Sequence, residues 1–385
     1  MTGGGSGGHV TPLIAVAAEL KKLDPSISIV FAGQRGDRFG TIVADSPYVD
    51  ASHRIFAGKF RRYHGEGWRQ LLDIRTMLLN LRDLFYFLFG IVQSLALLRR
   101  VRPDVVFVKG GFVGVPIGLA AAFWRVPDIP HDSDAVPGLA NRIIARWAKK
   151  HAVALPAALY KSYPREKTVT TGVPIAAEYQ HVTAKLQTAY RDQIGLPKDA
   201  KILLVTGGGL GSKVVNDAAV SALPVLLAKR KKLYVLHTAG QSHTAAVQAQ
   251  YGALLDAEML ARVQVLPFSP ELHVLSGAAD VVIARAGATN VAELAAQGVA
   301  TIVVPSPFLA GGHQLRNAES LAAQQAVIVL DERRLQEDPE LLTAALTTLL
   351  DDDKERRALG ERFHRLANPA AAHDLAVLLL EVVKH

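Results

Sequence analysis

Hydrophobic positions along the chain fall into short runs of β-formers, separated by longer stretches with apolar residues at helical spacing. Residues 28–32, 105–108, 128–131, 152–155 and 168–170 read as strands. So do residues 201–206, 233–238, 263–266, 280–284, 300–304 and 328–330. Helical patterns fill the intervals: from Leu13 onward, 115–125, 139–149, 214–227 and 291–297. Two more follow at 339–350 and 352–366, with a terminal apolar helix from Ala371. Strands alternating with helices predict an α/β fold built on parallel sheets. The pattern breaks at Gly172-Val173-Pro174 and then restarts, which predicts two similar halves.

Each half opens on a glycine-rich turn that runs into a helix. The first is Gly3-Gly4-Gly5-Ser6-Gly7-Gly8-His9 and the second is Gly207-Gly208-Gly209-Leu210-Gly211. Glycine lets backbone approach an anion, and the unpaired N–H groups of a helix start point at it. Gly3, Gly5 and Gly8 fit G-x-G-x-x-G, a weak signal by itself, and only two residues precede it where a strand belongs. The repeat predicts two Rossmann-like domains facing across a cleft, with ligands outside the carboxyl ends of the strands.

Bulk properties narrow the class. A chain of 385 residues favours two domains, and a 50% hydrophobic share supplies their cores. There is no cysteine, which excludes disulfides, thiolate metal sites and cysteine nucleophiles. The net charge is +8, and residues 54–102 hold ten basic against three acidic residues, nearly the whole excess. Inside that segment lies the apolar run 84–92, which Arg82-Asp83 closes off and which is short for a bilayer span. A basic rim around an aromatic patch suits a membrane surface. A buried helix with a solvated basic flank fits the same stretch equally well. Nucleic acid is a poorer partner, because the apolar block has no use on a phosphate backbone.

Three constellations could carry chemistry. His9 ends the first glycine turn, where a neutral imidazole could act as general base on a hydroxyl. A capping histidine is the plainer alternative. Arg285-Ala286-Gly287-Ala288-Thr289-Asn290 leads a helix that carries Glu293 about one turn in, placed to accept hydrogen bonds from vicinal ribose hydroxyls. In Gly311-Gly312-His313-Gln314-x-x-Asn317, the last three polar residues share a helix face suited to reading a sugar or base. The scattered histidines make no recognised metal motif.

In order along the chain, these stretches, together with Lys109-Gly110-Gly111-Phe112-Val113 and His131-Asp132-Ser133-Asp134 with Gly138-Leu139-Ala140-Asn141, resemble the MurG family. The resemblance implies a GT-B fold and an inverting transfer of N-acetylglucosamine from UDP-GlcNAc to the C4 hydroxyl of lipid I, giving lipid II and UDP. It implies His9 as base, with Ser6, Gly7, Gly8, Asp134 and Asn141 lining the N-terminal wall. It places Glu293 on the ribose and Gln314 and Asn317 near the donor sugar. Gly209, Arg285, Gly287, Ala288, Thr289 and Asn290 complete the donor site, with Arg285 and the 287–290 turn neutralising the diphosphate. No cofactor is required, although divalent-cation stimulation stays open. Segment 74–102 would dock on the anionic cytoplasmic leaflet, making the enzyme a peripheral membrane protein. The expected domains are 1–170, joined by the terminal helix 367–385, and 171–366. A UDP-GlcNAc epimerase or hydrolase, another GT-B glycolipid glycosyltransferase, or a non-catalytic nucleotide-sugar-binding protein are the alternatives.

The chain departs from the family pattern at several points. No strand precedes the first turn, so the expectation is a missing central strand and an unpinned loop, from a truncation or a misplaced start. Ala176 stands where the family has an arginine, and Gly209 where a serine is common. Asp132 and Asp134 flank Ser133 in place of a carboxylate-amide pair.

Overall fold

A computed structural model of the chain describes residues 1–5, 7–59, 74–308 and 312–384. It divides into two compact units, Met1–Ala176 with Pro369–His385, and Ala177–Asn368. The boundary lies six residues beyond the expected 170/171, because the chain after β6 (Thr168–Thr170) still belongs to the first unit. There the Gly172 carbonyl accepts from His131 Nε2 at 2.8 Å.

The C-terminal unit carries one six-stranded parallel sheet. Its strands are β7 (Lys201–Thr206), β8 (Leu233–Thr238), β9 (Val263–Leu266), β10 (Val281–Ala284), β11 (Ala300–Val303) and β12 (Ile328–Val329). Their order is β12-β11-β10-β7-β8-β9. This is the doubly wound order, and its direction reverses between β7 and β10. Ala284 pairs with Thr206 there, so the turns that leave β7 and β10 emerge side by side. Nearly continuous apolar strands fit a sheet covered on both faces. Leu203 and Val205 enter one buried cluster, and Ile202 and Leu204 enter the other.

In the N-terminal unit, β1 (Val30–Gln34) pairs with β2 (Ala51–Ile55), and β3 (Val106–Val108), β4 (Asp128–Asp132), β5 (His151–Val153) and β6 run in order. Met1 and Thr2 join these two groups. Thr2 bridges Ala32 on one side and Val108 on the other, both in parallel sense. Its N–H donates to Phe107 O, and its carbonyl accepts from Lys109 N, each at 2.9 Å. Met1 O accepts from Ala32 N at 2.9 Å, and the Thr2 hydroxyl donates to Ala32 O at 2.8 Å. No named strand forms here, as expected, but the expectation of an unpinned loop is corrected. Two residues hold its ladder position, and the first glycine turn leaves from a pinned backbone.

The helix Thr11–Leu23 buries Leu13, Val16, Ala17 and Leu20 against Phe31, Phe107 and Ile129. Leu375, Leu379 and Val382 of the terminal helix Ala371–Lys384 join the same cluster. The basic apolar segment is a single 28-residue helix, Ile74–Val101. By length and composition alone the whole helix could cross a membrane, although the apolar run 84–92 within it is short. Only a narrow stripe of it is sealed to the unit, through Thr76, Asp83, Gly90, Ser94 and Leu98. Most of the remainder is solvent-exposed, including Leu78 at 62%, Phe85 at 63% and Val92 at 63%.

The seat of this helix is backbone against backbone. A Cβ on Gly90 would lie 2.1 Å from the Phe56 carbonyl oxygen, and one on Gly58 would lie 1.9 Å from that of Asp83. Neither carbonyl can yield as a flexible side chain would. Gly90→Val should therefore unseat the helix and cost about 1–3 kcal/mol, the range for overpacking. Urea unfolding checks this, with the exposed Val92→Ala as a control that leaves the midpoint in place.

Candidate active site

In the N-terminal unit the site is built on the turns after Thr2, β3 and β4. Thr2 feeds Gly3, Gly4 and Gly5, then the short 3-10 turn Gly7–His9, then the helix Thr11–Leu23 with Pro12 in its first turn. Val10 caps that helix without a side-chain bond, and the first helical turn holds no acid. Gly7 and Gly8 lie in this turn, whereas Ser6 falls outside the described residues. The Gly5 N–H donates to Asp37 Oδ2 at 2.9 Å. A carboxylate thus takes an amide of the glycine turn, the kind of group that an anionic ligand would use.

His9 Nδ1 lies 3.0 Å from Gly4 O. A carbonyl only accepts, so Nδ1 carries the proton, and in the neutral ring the lone pair sits on Nε2. Gly110 and Gly111, at φ +103° and +80°, pack against this pair. A Cβ on Gly111 would fall 2.7 Å from Gly4 O and 3.3 Å from His9 Nδ1. The same turn lies against the buried Asn141 amide. Asn141 Nδ2 donates to His131 O at 2.9 Å, and its Oδ1 has no partner among the described residues.

Lys109 is buried, and its Nζ donates to Ser133 Oγ at 2.8 Å. Burial pulls the ammonium down to about 8, against the upward pull of Asp134 and Asp132. Burial also pushes the Asp132 carboxyl up, although it accepts from Tyr163 Oη at 2.6 Å and from Gly138 N at 2.9 Å. The Asp134 carbonyl accepts from Tyr160 Oη at 3.0 Å. Sequence reading singled out Asp134 but missed the bonds that hold its neighbours, Lys109 to Ser133 and Tyr163 to Asp132. The bonded residues lie 24 and 31 positions apart, which no local pattern signals.

In the C-terminal unit the turns after β7 and β10 meet at the point where the sheet reverses. Gly209 is exposed on the first of these, and Ser212 Oγ caps the following helix Lys213–Lys229 by accepting from Val215 N. After β10, Gly287 caps the helix Ala288–Gln297 with no side-chain bond. Its first-turn N–H groups have no capping side chain, which leaves them suited to an anion. Asn317 Nδ2 donates to Ala286 O at 3.0 Å, and Gln314 Oε1 accepts from Ser306 N at 2.9 Å. These two amides clamp the helix His313–Ala323 onto the turn after β10 and the segment after β11.

Thr289 is buried, and both amide atoms of Asn290 are buried without a partner among the described residues. Glu293 is buried, and burial pushes its carboxyl from 4.5 to about 8. Arg285 faces elsewhere than expected. It is ion-paired to the buried Glu332 and donates to Val304 O at 3.0 Å, so its charge is largely compensated. Sequence reading missed Glu332, 47 residues downstream. Among the described residues no group of three or more histidine, aspartate or glutamate side chains could hold a metal ion.

Residues 1–153 match the glycosyltransferase family 28 N-terminal domain, and residues 202–374 match the family 28 C-terminal domain. The UDP-N-acetylglucosamine--N-acetylmuramyl-(pentapeptide) pyrophosphoryl-undecaprenol N-acetylglucosamine transferase of Halalkalibacterium halodurans is 30% identical, over 100% of this chain and 99% of its own length. The chain belongs to the MurG family. The Bacillus subtilis member is also 30% identical, over 100% of this chain and 99% of its own. The crystal structure of Acinetobacter baumannii MurG superposes with a TM-score of 0.69 at 25% identity, covering 99% of this chain and 98% of that one. The GT-B fold class and the glycosyltransferase class expected from the sequence hold for this MurG-family chain.

Glu293 makes a distinct contribution to the pH dependence of stability. Its carboxyl titrates near 4.5 unfolded and near 8 folded. Between those values the folded state binds the extra proton, so stability falls as pH rises through the window and levels off above it. Glu293→Gln removes this loss. The variant should melt at nearly the wild-type temperature at pH 4, then above it by a gap that widens up to about pH 8. Calorimetry across that range checks the sign.

Proposed function

We propose that the chain transfers N-acetylglucosamine from UDP-GlcNAc to the muramoyl C4 hydroxyl of lipid I, with inversion, to give lipid II and UDP. The observation that carries this reading is the full-length similarity to transferases named for that reaction, through both family 28 domains. His9 takes the hydroxyl proton on Nε2 while Nδ1–H stays on the Gly4 carbonyl. The O4–C1 bond forms as the bond from C1 to the β-phosphate oxygen breaks, and the electron pair leaves on UDP. Uncapped N–H groups at the start of the helix Ala288–Gln297 stabilise that departing charge. Glu293 ionises as the ribose hydroxyls replace its lost hydration, and the partnerless Asn290 amide and Thr289 supply further polar contacts to the donor. Gly209 lets the neighbouring turn approach the nucleotide. On the acceptor side, Gly7, Gly8 and Asn141 meet the diphosphate and sugar, and Lys109 holds Ser133 beside Asp134.

The acceptor is a polyprenyl lipid, and the exposed face of the helix Ile74–Val101 supports peripheral docking on an anionic cytoplasmic leaflet. Tyr86 stacks on Phe56 at 5.2 Å and Phe89 meets it edge-on at 5.7 Å, and Arg35 and Arg82 lie over this cluster. Aromatic rings flanked by guanidinium groups suit the interfacial region of a bilayer.

UDP release from UDP-GlcNAc should require a lipid I analogue. His9→Ala should lower kcat by about 10²–10⁴-fold, the range for loss of a general base, with little change in the KM for UDP-GlcNAc. Glu293→Ala should act mainly on that KM. Steady-state kinetics with both substrates varied checks the split. Conversion of the donor to UDP-ManNAc without acceptor would favour the epimerase reading instead.

A further inference from the structure

Behind the glycine turn that follows β7 runs a chain of three polar side chains, His237, Asn216 and Tyr251, all buried. His237 lies on β8, Asn216 near the start of the helix Lys213–Lys229, and Tyr251 in the helix Thr244–Leu254. His237 Nδ1 is 2.9 Å from Tyr251 Oη, and its Nε2 is 3.1 Å from Asn216 Oδ1. Asn216 Nδ2 donates to Ala239 O at 2.9 Å.

The last acceptor assigns every proton in this chain. Ala239 O only accepts, so the Asn216 amide turns its NH2 to that carbonyl and its Oδ1 to His237. Nε2 therefore carries the ring proton, and Nδ1 accepts from the Tyr251 hydroxyl. Burial pulls the ring down to about 4, which keeps it neutral and leaves that lone pair free. The neighbours of His237 in the sheet register are Val205 and Val265. A leucine would fit such surroundings at less desolvation cost. What the histidine adds is direction.

That direction reaches the donor turn. Gly211, at φ +77°, packs on Ala239, where an added Cβ would lie 2.2 Å from the carbonyl oxygen. A Cβ on Gly240, at φ +89°, would lie 2.5 Å from Leu210 O. The turns after β7 and β8 thus meet backbone to backbone. A reversed Asn216 amide would set Oδ1 against Ala239 O, two acceptors face to face, and drive the turn after β8 into Gly211.

We propose that His237 is a positioning residue for the donor nucleotide: through Asn216 it fixes the turn after β8, and with it the shape of the Gly207–Gly211 turn. This assignment rests on the reading above in which that turn approaches the nucleotide.

Calorimetric titration of the full chain with UDP, without acceptor, tests it. His237→Leu should weaken UDP binding about tenfold, within the range for changes in a network behind a site. Asn216→Asp keeps the size but loses the donor to Ala239 O, and should weaken binding equally. The double variant should be no worse than either single one, as for residues acting in one chain. His237→Gln keeps one donor and one acceptor and should recover most of the affinity. Leu227→Ala, buried at the far end of the helix Lys213–Lys229, should lower the melting temperature and leave UDP affinity in place. Should His237→Leu fail to fold, Tyr251→Phe stands in for it, with a loss of about threefold or more from one hydrogen bond. Unchanged affinity in these variants, additive losses in the double variant, or an equal loss in Leu227→Ala would overturn the assignment. If the wild type binds no UDP, the donor-site reading itself fails and the assignment with it.

Discussion

The N-terminal unit depends on the parallel pairing of Thr2 with Ala32 and Val108. A parallel sheet pairs through backbone donors and acceptors in register, and Thr2 supplies both, to Phe107 O and from Lys109 N. Once Thr2 is fixed between β1 and β3, the chain must leave the sheet at its reversal point, where the turn after β3 also emerges. His9 and Gly4 then meet Gly110 and Gly111. The tautomer of His9 follows, because the group facing Nδ1 is a carbonyl. Backbone register thus sets the protonation of a side chain seven positions away.

The C-terminal unit reaches its reversal point by the same topology but uses a different chemistry. There the pairing of β7 with β10 brings together a glycine turn, an uncapped helix start and a buried carboxyl. Polar groups stay buried without partners at Asn290, and Glu293 is driven toward its neutral form. Each costs stability, because a buried polar group without a partner keeps its desolvation penalty. Arg285 differs, since Glu332 already compensates it. The unit therefore keeps its uncompensated polar groups at the helix Ala288–Gln297 rather than at its arginine.

Most of the strands were legible because buried parallel strands write themselves as local apolar runs, whereas their order came from the structure. β2 was not, since Ala51-Ser52-His53-Arg54-Ile55 is a largely exposed edge strand with little apolar signal. Glycine turns and Glu293 were legible from position alone, at a strand end and a helix start. The protonation of Glu293 was not, because it comes from burial that only the packed unit creates. Lys109 with Ser133, Asp132 with Tyr163 and Arg285 with Glu332 all join distant stretches, and one sequence carries no trace of such pairs. Composition found the basic segment, but Arg82-Asp83 read as the end of an apolar run. In the structure Asp83 faces the sealed stripe and the helix continues past it.

That helix answers to two environments at once. Its buried stripe is narrow because Gly58 and Gly90 let backbone approach backbone, and a close seat needs few side chains to hold it. A narrow seat leaves most of the circumference free, so an apolar surface can be displayed without loosening the unit. If the seat were wider, Phe85, Leu88 and Phe89 would turn inward and the unit would keep its core but lose its apolar face. Gly58 and Gly90 thus tie an apolar helix, long enough to cross a membrane, closely to the unit that carries His9.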